Sequence, residues 1–338
     1  MITTIAVDAM GGDFGPPVTV PAVLHCLQHN LKLQIILVGR TPELHACWPA
    51  RHELELQRVE FLHAEQVVEM NEAPAQAMRA KKDSSMRVAI NLVQESRADA
   101  CVSAGNTGAL MATARYVLKT LPGIDRPAII SSLPAIKGHT HLLDLGANID
   151  SSPEQLLQFA IMGSVLVKAT EDIAAPTVGL LNIGVEDIKG SESIKAAARL
   201  IRNTSLNYQG FVEGDGIYHG VVDVVVCDGF IGNVALKTSE GLAQMIRRSL
   251  HQEFKRNWYT RLAGLVAMPA LTAMKRRIDH RRHNGATLIG LRKTVIKSHG
   301  GADTLAFQYA INKAVAEVDR QVTDLIQNEI QQVLQETG

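Results

Sequence analysis

The residues best suited to chemistry lie in two segments that each pass from an apolar, β-branched run through a glycine-rich turn into a helical run. The first segment is ADACVSAGNTGALM (98–111), and the second is VVDVVVCDGFIGNVALK (221–237). A helix N-terminus presents unpaired backbone N–H groups and about half a positive charge, and glycine lets an anion approach that backbone closely. Both junctions therefore predict a site for a phosphate-like anion.

The first junction brings hydroxyl, amide and backbone N–H groups together at a helix start. These groups belong to Ser103, Gly105, Asn106 and Thr107. Such a cluster suits phosphate binding or oxyanion stabilisation without a fixed positive charge. The alternative is that Asn106 or Thr107 only caps the helix.

A further glycine turn, DAMGGDFGPP (8–17), follows the first strand-like run. In an open α/β sheet, ligands bind beyond the carboxyl ends of the strands, where Asp8, Gly11 and Gly12 would lie. These residues are therefore candidates for phosphate binding. The spacing is not GxGxxG, and the chain has no Walker A sequence. The alternative is that the turn is only a tight connection between a strand and a helix, in which Asp8 has a capping role.

A cation for such a site is offered by the segment NIGVEDIKGS (182–191). Lys189 stands beside a glycine just before a predicted helix, and Asn182 ends the preceding strand-like run. Lys189 would neutralise the charge of phosphate, and Asn182 would contact it. An ordinary surface lysine is the alternative.

The second junction places Asp228 at the carboxyl end of a strand, followed by Gly229 and Asn233. Asp228 is a candidate base, orienting group or hydrogen-bond acceptor. The neighbouring Cys227 is expected to point into the core, as small apolar cysteines commonly do, and not to act as a nucleophile.

Two glycine turns are predicted in the last third of the chain, at 284–290 and 296–302. The second contains His299, which would position phosphate or transfer a proton. A histidine that only shapes the turn is the alternative.

No metal or cofactor is expected. The pair His139 and His141 is typical of metal ligands, but no third ligand follows nearby in the sequence. The chain contains no GxSxG or HExxH sequence, and its four cysteines have no CxxC spacing. The cysteine pattern favours a reducing cytoplasm.

Short apolar runs alternate with helical runs along the 338 residues. Runs such as 33–39 and 98–104 are short and mostly apolar, which is typical of strands covered on both faces. The alternation predicts a doubly wound α/β fold with a mostly parallel sheet and helices on both faces, formed as a single catalytic domain over 1–338.

A basic, apolar helical segment is expected at 247–282 within that domain. It holds ten Lys or Arg against two acidic residues, whereas the formal net charge of the whole chain is zero. The segment therefore requires a local anionic partner, and the acidic remainder argues against nucleic-acid binding. The stretch from Trp258 to Met274 is typical of contact with an anionic membrane surface, with a buried subunit interface as the alternative.

Taken together, these segments resemble the fatty acyl–acyl carrier protein:phosphate acyltransferases, the PlsX family of bacterial phospholipid synthesis. The resemblance is carried by VDAMGGDFGP, SAGNTGAL, DLGAN, NIGVEDIKG, GFVEGD, DVVVCDGFIGNVALK and VIKSHGGAD, in this order. It extends along nearly the whole chain, and the order of the blocks makes it specific.

The resemblance implies transfer of a fatty acyl group from acyl carrier protein to inorganic phosphate, which gives acyl phosphate. It also implies a fold similar to the isopropylmalate dehydrogenase and phosphotransacetylase group, and a homodimer. The enzyme would be cytoplasmic and peripherally attached to the inner face of the cell membrane, with a downstream membrane acyltransferase as a further partner. Ser103, Asn106 and Thr107 would then hold phosphate, Lys189 would neutralise it, and Asp228 with Asn233 would orient it or accept its proton.

Two other functions are consistent with parts of the chain. A decarboxylating NAD-dependent dehydrogenase of similar fold would need a dinucleotide fingerprint and metal-binding carboxylates, and neither set is clear. A non-catalytic membrane scaffold would explain the apolar basic segment but not the glycine turns.

Overall fold

The structure is a computed structural model that describes residues 2–277 and 279–337, without the side chains of 275–277, 280 and 334–337. Met1, Gly338 and Ile278 therefore lie outside the described residues, as do the side chains of Lys275, Arg276 and Arg277 in the predicted basic segment. The strands are β1 (Thr3–Asp8), β2 (Leu33–Gly39), β3 (Val59–His63), β4 (Ala100–Ser103), β5 (Ala128–Pro134), β6 (His139–Leu143), β7 (Thr177–Leu181), β8 (Asn207–Val212), β9 (Val224–Val226), β10 (Ala286–Ile289) and β11 (Thr294–Lys297).

The helices lie mainly between these strands and after them. They are α1 (Pro16–His29), α2 (Thr41–Cys47), α3 (Glu53–Leu56), α4 (Pro74–Ala80), α5 (Ser85–Gln94), α6 (Thr107–Leu118), α7 (Pro153–Glu171), α8 (Glu192–Arg202), α9 (Gly216–His219), α10 (Gly229–Lys255), α11 (Trp258–Arg277), α12 (Thr304–Asp319) and α13 (Val322–Thr337), with a 3₁₀ turn at His280–His283.

The eleven described strands form one sheet in the order β3-β2-β1-β4-β11-β10-β5-β6-β9-β7-β8. Strand β5 pairs antiparallel with both β6 and β10, and β10 pairs antiparallel with β11. The other neighbouring pairs are parallel. The sheet is therefore mostly parallel, as predicted, but its two parallel sets run in opposite directions.

This reversal separates the strand ends into two groups. Strands β1, β4 and β11 end at one edge of the sheet, which we call the first edge. Strands β6, β9 and β7 end at the opposite edge, which we call the second edge. The loops that follow the strands of one set therefore lie at the opposite edge of the sheet from the loops that follow the other set.

Helices cover both faces of the sheet, which explains why most strands are continuously apolar. On one face, α1 and α12 cover the first half of the sheet, while α7, α8 and α13 cover the second half. On the other face, α5 and α6 cover the first half, while α9 and α10 cover the second. The doubly wound α/β class is thereby confirmed.

The predicted basic segment comprises the end of α10, helix α11 and the 3₁₀ turn. Helices α10 and α11 pack against each other where Gly264 meets the ring of Phe254. Beyond Gly229 and Gly232, no described residue of α10 is buried. Among the described residues, no helix is long and apolar enough to cross a membrane.

Candidate active site

A buried carboxylate occupies the first edge, where β1 and β4 end side by side. Register places Asp8 opposite Ser103. One carboxylate oxygen of Asp8 accepts a hydrogen bond of 2.6 Å from Ser103 Oγ, and the other accepts one of 2.6 Å from Ser85 Oγ at the start of α5. Burial raises the pKa of Asp8, and these hydrogen bonds oppose the rise. Two hydroxyls thus hold the carboxyl group in one orientation.

A buried lysine completes this group. Strand β11 lies next to β4, and its last residue, Lys297, stands opposite Ser103. Its side chain is 7% exposed. The Nζ atom donates to the carbonyl oxygen of Ala104 at 3.1 Å and to that of Ser298. A cation is therefore fixed at the strand ends beside the α6 N-terminus.

The charges around Lys297 come from three elements. Burial lowers the pKa of Lys297 to about 8, while the negative charges of Asp8 and Asp13 oppose that change. The positive charge of Lys237, on α10, lowers the pKa further. Two lysines and a helix N-terminus thus make the first edge suitable for an anion.

The glycines of the first turn are required by close packing. A side chain at Gly11 would place its Cβ 2.6 Å from the Asp8 carboxylate and 2.7 Å from the Gly105 nitrogen. Gly12 has a φ of +90°, and a Cβ there would lie 2.8 Å from the Gly300 oxygen. Phosphate binding by Gly11 and Gly12 stays a prediction, because this packing alone explains why glycine stands at both positions.

The side chains of Ser103 and Asn106 are already bonded within the protein. Ser103 is fully buried, donates to Asp8 and accepts from the Gly105 N–H at 3.1 Å. Asn106 Oδ1 caps α6 through the Ala109 N–H at 3.0 Å, and its Nδ2 donates to backbone carbonyls, including that of Met70 at 2.9 Å. In this arrangement both side chains support the turn and the start of α6, and their direct contact with phosphate stays a prediction. Asn106 is the helix cap of the alternative interpretation.

Thr107 and His299 remain accessible at the first edge. Thr107 is the first residue of α6 and is exposed. His299 is exposed, its Nδ1 accepts from the Gly301 N–H at 3.1 Å, and its backbone N–H donates to Asn284 at 2.9 Å. Because Nδ1 is an acceptor here, the neutral ring carries its proton on Nε2. Both residues can contact an anion at this edge.

Asp228 lies at the second edge as the cap of α10. One oxygen accepts from the Phe230 N–H and the other from the Ser151 N–H, each at 2.8 Å. With both oxygens bound to backbone donors, the side chain is positioned to begin the helix. Asp228 therefore caps α10 in this arrangement, and its role as base or orienting group stays a prediction.

The turn DLGAN (144–148) supports the start of α10. Asp144 is fully buried and accepts from the N–H groups of Ile129 (2.8 Å), Ala147 (3.1 Å) and Asn148 (2.8 Å). Burial raises the pKa of Asp144, and these bonds oppose the rise. A Cβ at Gly229 would lie 2.6 Å from the Asp144 carboxylate. Gly229 is thus needed for packing, and its predicted contact with phosphate remains untested.

The orientation of α10 follows from residues at and before its first turns, namely Cys227, Asn233 and Lys237. Asn233 is exposed and packs beside Gly146. Asn233 and Lys237 are four residues apart and therefore share one side of the helix. Cys227 is buried, as predicted, and burial raises the pKa of its thiol. Helix α10 thus runs from the second edge back across the sheet toward Lys297.

Lys189 and Asn182 belong to a loop at the second edge. The amide nitrogen of Asn182 donates to the carbonyl oxygens of Gly184 (3.1 Å) and Lys189 (3.3 Å), which closes the loop. The Lys189 side chain is 45% exposed, with its Nζ 3.9 Å from Glu186 Oε1. Asn182 therefore shapes the loop, and Lys189 is presented to solvent.

Within the described part of one chain, the strand-end loops lie at two opposite edges of the sheet. The reversed central strands put Asp8 and Lys297 at the first edge and the Lys189 loop at the second. Helix α10 runs between the two groups, and one of its sides bears Asn233 and Lys237. The sequence patterns did not identify Lys297 or Lys237 as site residues. Lys297 does end a β-branched run, and ligands bind beyond the carboxyl ends of such strands.

The chain matches the profile of a family described as "Fatty acid synthesis protein" over residues 3–325. It is 59% identical over 337 residues to a phosphate acyltransferase of Nitrosococcus oceani, covering 99% of each chain. It is 58% identical over 321 residues to a phosphate acyltransferase of Methylococcus capsulatus, covering 95% of each chain.

Solved structures with similar folds include two acyl-transfer enzymes. One is a phosphotransacetylase from Streptococcus pyogenes, with a TM-score of 0.61, 16% identity and 94% coverage of each chain. The other is a branched-chain phosphotransacylase from Enterococcus faecalis, with a TM-score of 0.55, 13% identity and coverage of 94% of this chain and 99% of that one. These likenesses confirm the predicted fold group. The sequence matches go further, and the chain therefore belongs to the fatty acid synthesis protein family of phosphate acyltransferases.

Proposed function

We propose that this chain transfers a fatty acyl group from acyl carrier protein to inorganic phosphate, and so supplies acyl phosphate for phospholipid synthesis. The observation that carries the proposal is the buried Lys297 at the end of β11, bonded beside Asp8 and Ser103 and faced by Lys237. Family membership supports acyl transfer to phosphate as the reaction class.

Phosphate itself is the nucleophile in this scheme. One of its oxygens forms a bond to the thioester carbonyl carbon, and the carbon–sulfur bond then breaks. The thiolate leaves and takes the proton of hydrogen phosphate, so no covalent acyl-enzyme is required. The protein has to hold a dianion against the carbonyl and to stabilise the tetrahedral oxyanion by position and charge.

The first edge and the facing side of α10 are suited to these tasks. Lys297 and Lys237 balance the charge of phosphate, and the N-terminus of α6 at Thr107 adds backbone donors. Asn233 lies on the same side of α10 as Lys237 and is placed to orient the dianion or the carbonyl. His299 is exposed at the same edge.

The proposed reaction is tested by mixing the purified chain with acyl–acyl carrier protein and radiolabelled phosphate. We expect labelled acyl phosphate, and hydroxylamine should convert it to the acyl hydroxamate with release of the labelled phosphate. Formation of NADH from NAD with a hydroxy acid, or binding of the acyl donor without turnover, would instead favour the dehydrogenase or the scaffold.

We also propose a homodimer that buries the second edge. Exposed apolar side chains gather there on three neighbouring segments, each between 49% and 81% exposed: Ile149, Ile183, Val185, Ile188, Phe230, Ile231 and Val234. A patch of this kind on adjacent strand ends supports a protein interface. The patch surrounds Lys189, so a second copy would cover the loop that carries this lysine.

Replacing Ile183 and Phe230 together by aspartate is expected to convert the dimer to monomer, because two charges would be buried in an apolar interface. Light scattering coupled to gel filtration measures the mass. The control is Leu54→Asp, since Leu54 is equally exposed but lies far along the chain in α3. A double variant that keeps the dimeric mass would rule out this interface.

Peripheral membrane attachment is proposed for the α10–α11 pair. Leu262, Leu265 and Val266 are exposed on α11, and Trp258 stacks on Tyr259 at the start of that helix with both rings exposed. Exposed arginines and a lysine surround them: Arg247, Arg248, Lys255, Arg256 and Arg261. Apolar and aromatic side chains among cations suit an anionic lipid surface.

Replacing Leu262, Leu265 and Val266 by glutamate should release the protein from phosphatidylglycerol-containing vesicles while leaving activity on water-soluble substrates largely intact. Co-sedimentation with vesicles measures the first effect. Leu31→Glu, an exposed leucine outside the segment, is the control. Unchanged vesicle binding would defeat the membrane assignment, and loss of the dimer in the triple variant would favour the subunit-interface alternative.

A further inference from the structure

Two histidines and a glutamate meet on the face of the sheet opposite Lys297. His139 and His141 alternate on β6 and therefore project to the same face. Helix α7 returns along that face and ends at Glu171. Glu171 Oε1 lies 2.6 Å from His139 Nε2 and 3.1 Å from His141 Nε2. The three side chains place one potential metal ligand each within 4.8 Å of the others.

We propose that His139, His141 and Glu171 form a binding site for Zn²⁺. Two imidazole nitrogens and one carboxylate oxygen are the donor set that zinc takes in sites with an open fourth position, which a water molecule fills. Imidazole ligands favour a transition metal over Mg²⁺ or Ca²⁺, which prefer oxygen donors. The site is separate from the acyl-transfer residues and does not depend on the proposed function.

The surroundings hold the first ligands in place. The side chain of His141 is 5% exposed, and the backbone N–H of His141 donates to the Asp223 carbonyl oxygen at 2.8 Å, which fixes this part of β6. The Asp223 carboxylate accepts from Thr177 through its N–H (2.7 Å) and its hydroxyl (2.6 Å), so it remains a nearby negative charge.

One nearby cation opposes the metal and is itself compensated. Lys313, on α12, is close enough for its charge to act on both histidines. Its Nζ donates to the Gly285 carbonyl oxygen at 2.9 Å, and the neighbouring Glu317 carboxyl group attracts it. Glu171, Asp223 and Glu317 thus offer more negative charge than Lys313 offers positive charge.

A small movement converts the present hydrogen bonds into a coordination sphere. Ligand atoms around tetrahedral zinc, at about 2.1 Å from the ion, are about 3.4 Å apart. The Glu171 oxygen therefore has to withdraw by less than about 1 Å from His139. Glu171 can do so because it is the last residue of α7 and its side chain is 25% exposed.

An occupied site would also stabilise the neighbouring turn. The ring of His283 lies 5.6 Å from that of His139, measured between centroids. His283 precedes Asn284, whose side chain bonds Ser298 Oγ at 2.8 Å and the His299 N–H at 2.9 Å. Bound zinc would thereby hold together β6, α7 and the turn before β10. This turn contacts the loop that carries His299.

The test is a zinc titration of the full chain after removal of metals by chelation and desalting. Competition with a chromophoric chelator measures affinity and stoichiometry, and the thermal unfolding midpoint is recorded with and without Zn²⁺. We expect one tight Zn²⁺ per chain, a higher midpoint with zinc, and affinity lowered by about a hundredfold or more in His139→Ala and Glu171→Gln.

The matched control is His63→Ala. His63 Nε2 lies 3.3 Å from Glu65 Oε2 on the exposed surface, so this variant removes a histidine–glutamate pair elsewhere. His63→Ala should bind zinc like the unchanged chain. If Glu171→Gln does not fold, as judged by circular dichroism, His139→Ala carries the test because that ring is 32% exposed.

Cobalt gives an independent readout. Co²⁺ bound by two imidazoles and a carboxylate in a four-coordinate site should produce visible d–d absorption, which should be absent from His139→Ala. Zinc binding that is equally tight in the unchanged chain and in the double variant His139→Ala/Glu171→Gln would overturn the proposal. Absence of stoichiometric binding in the unchanged chain would do the same and leave a plain histidine–glutamate ion pair.

Discussion

Lys297→Met is expected to lower kcat/KM for phosphate by about a hundredfold to a thousandfold, the effect of losing one preorganised donor to a developing anion. Lys297 is the buried cation at the first edge, and methionine retains its approximate length without the charge. The acyl phosphate assay measures the effect. The matched control is Lys293→Met, since Lys293 is exposed in the turn between β10 and β11.

The same residue predicts a pH dependence. Burial lowers the pKa of Lys297 to about 8, so the amine is mostly protonated at pH 7 and mostly neutral above pH 9. The attraction for the phosphate dianion is therefore present below pH 8 and lost as the pH rises through that value. KM for phosphate should rise across this range, and the rise should be absent from Lys297→Met. A variant with near-normal kcat/KM and the original pH profile would remove Lys297 from the site.

Lys189→Met is expected to reduce turnover by about two to four decades if this lysine neutralises charge in the transition state. The side chain of Lys189 is exposed on the second-edge loop. Among the ion pairs of the described residues, its one partner is Glu186, at 3.9 Å. The acyl phosphate assay at saturating phosphate measures kcat, and varied phosphate separates kcat from KM.

Lys195→Met is the control for Lys189. Lys195 lies just beyond the same loop in α8 and makes the same kind of i,i+3 ion pair, with Glu192 at 3.2 Å. Loss of activity in both variants would indicate a general effect on the loop. Near wild-type turnover of Lys189→Met would remove the second edge from the chemistry and leave Lys297 and Lys237 as the cations of the site.

Local patterns were sufficient for much of the fold. Continuous apolar runs such as Leu33–Gly39 predicted strands covered on both faces, and the caps and glycine turns predicted where helices begin. These features depend on a few neighbouring residues. Strand β10 lies within the first of the two turns predicted in the last third, and β11 runs into the second. Each of these strands is only four residues long.

The direction of the strands had the largest consequence for the site. Three successive antiparallel pairs, β11–β10, β10–β5 and β5–β6, leave the two halves of the sheet running in opposite directions. No local pattern records strand direction, because side chains alternate in the same way in either sense. For this reason the sequence alone does not show at which edge of the sheet a given strand-end loop lies.

The sequence by itself determined the α/β class and the family of this protein, because each is recorded in short, ordered segments. Only the tertiary structure placed Lys297 beside Asp8, 289 positions away along the chain, by making β11 a neighbour of β4 and β4 a neighbour of β1. It also brought Glu171 to His139 and His141 by returning α7 along β6. Long-range pairings of this kind follow from which surfaces pack together, and packing is a property of the whole chain.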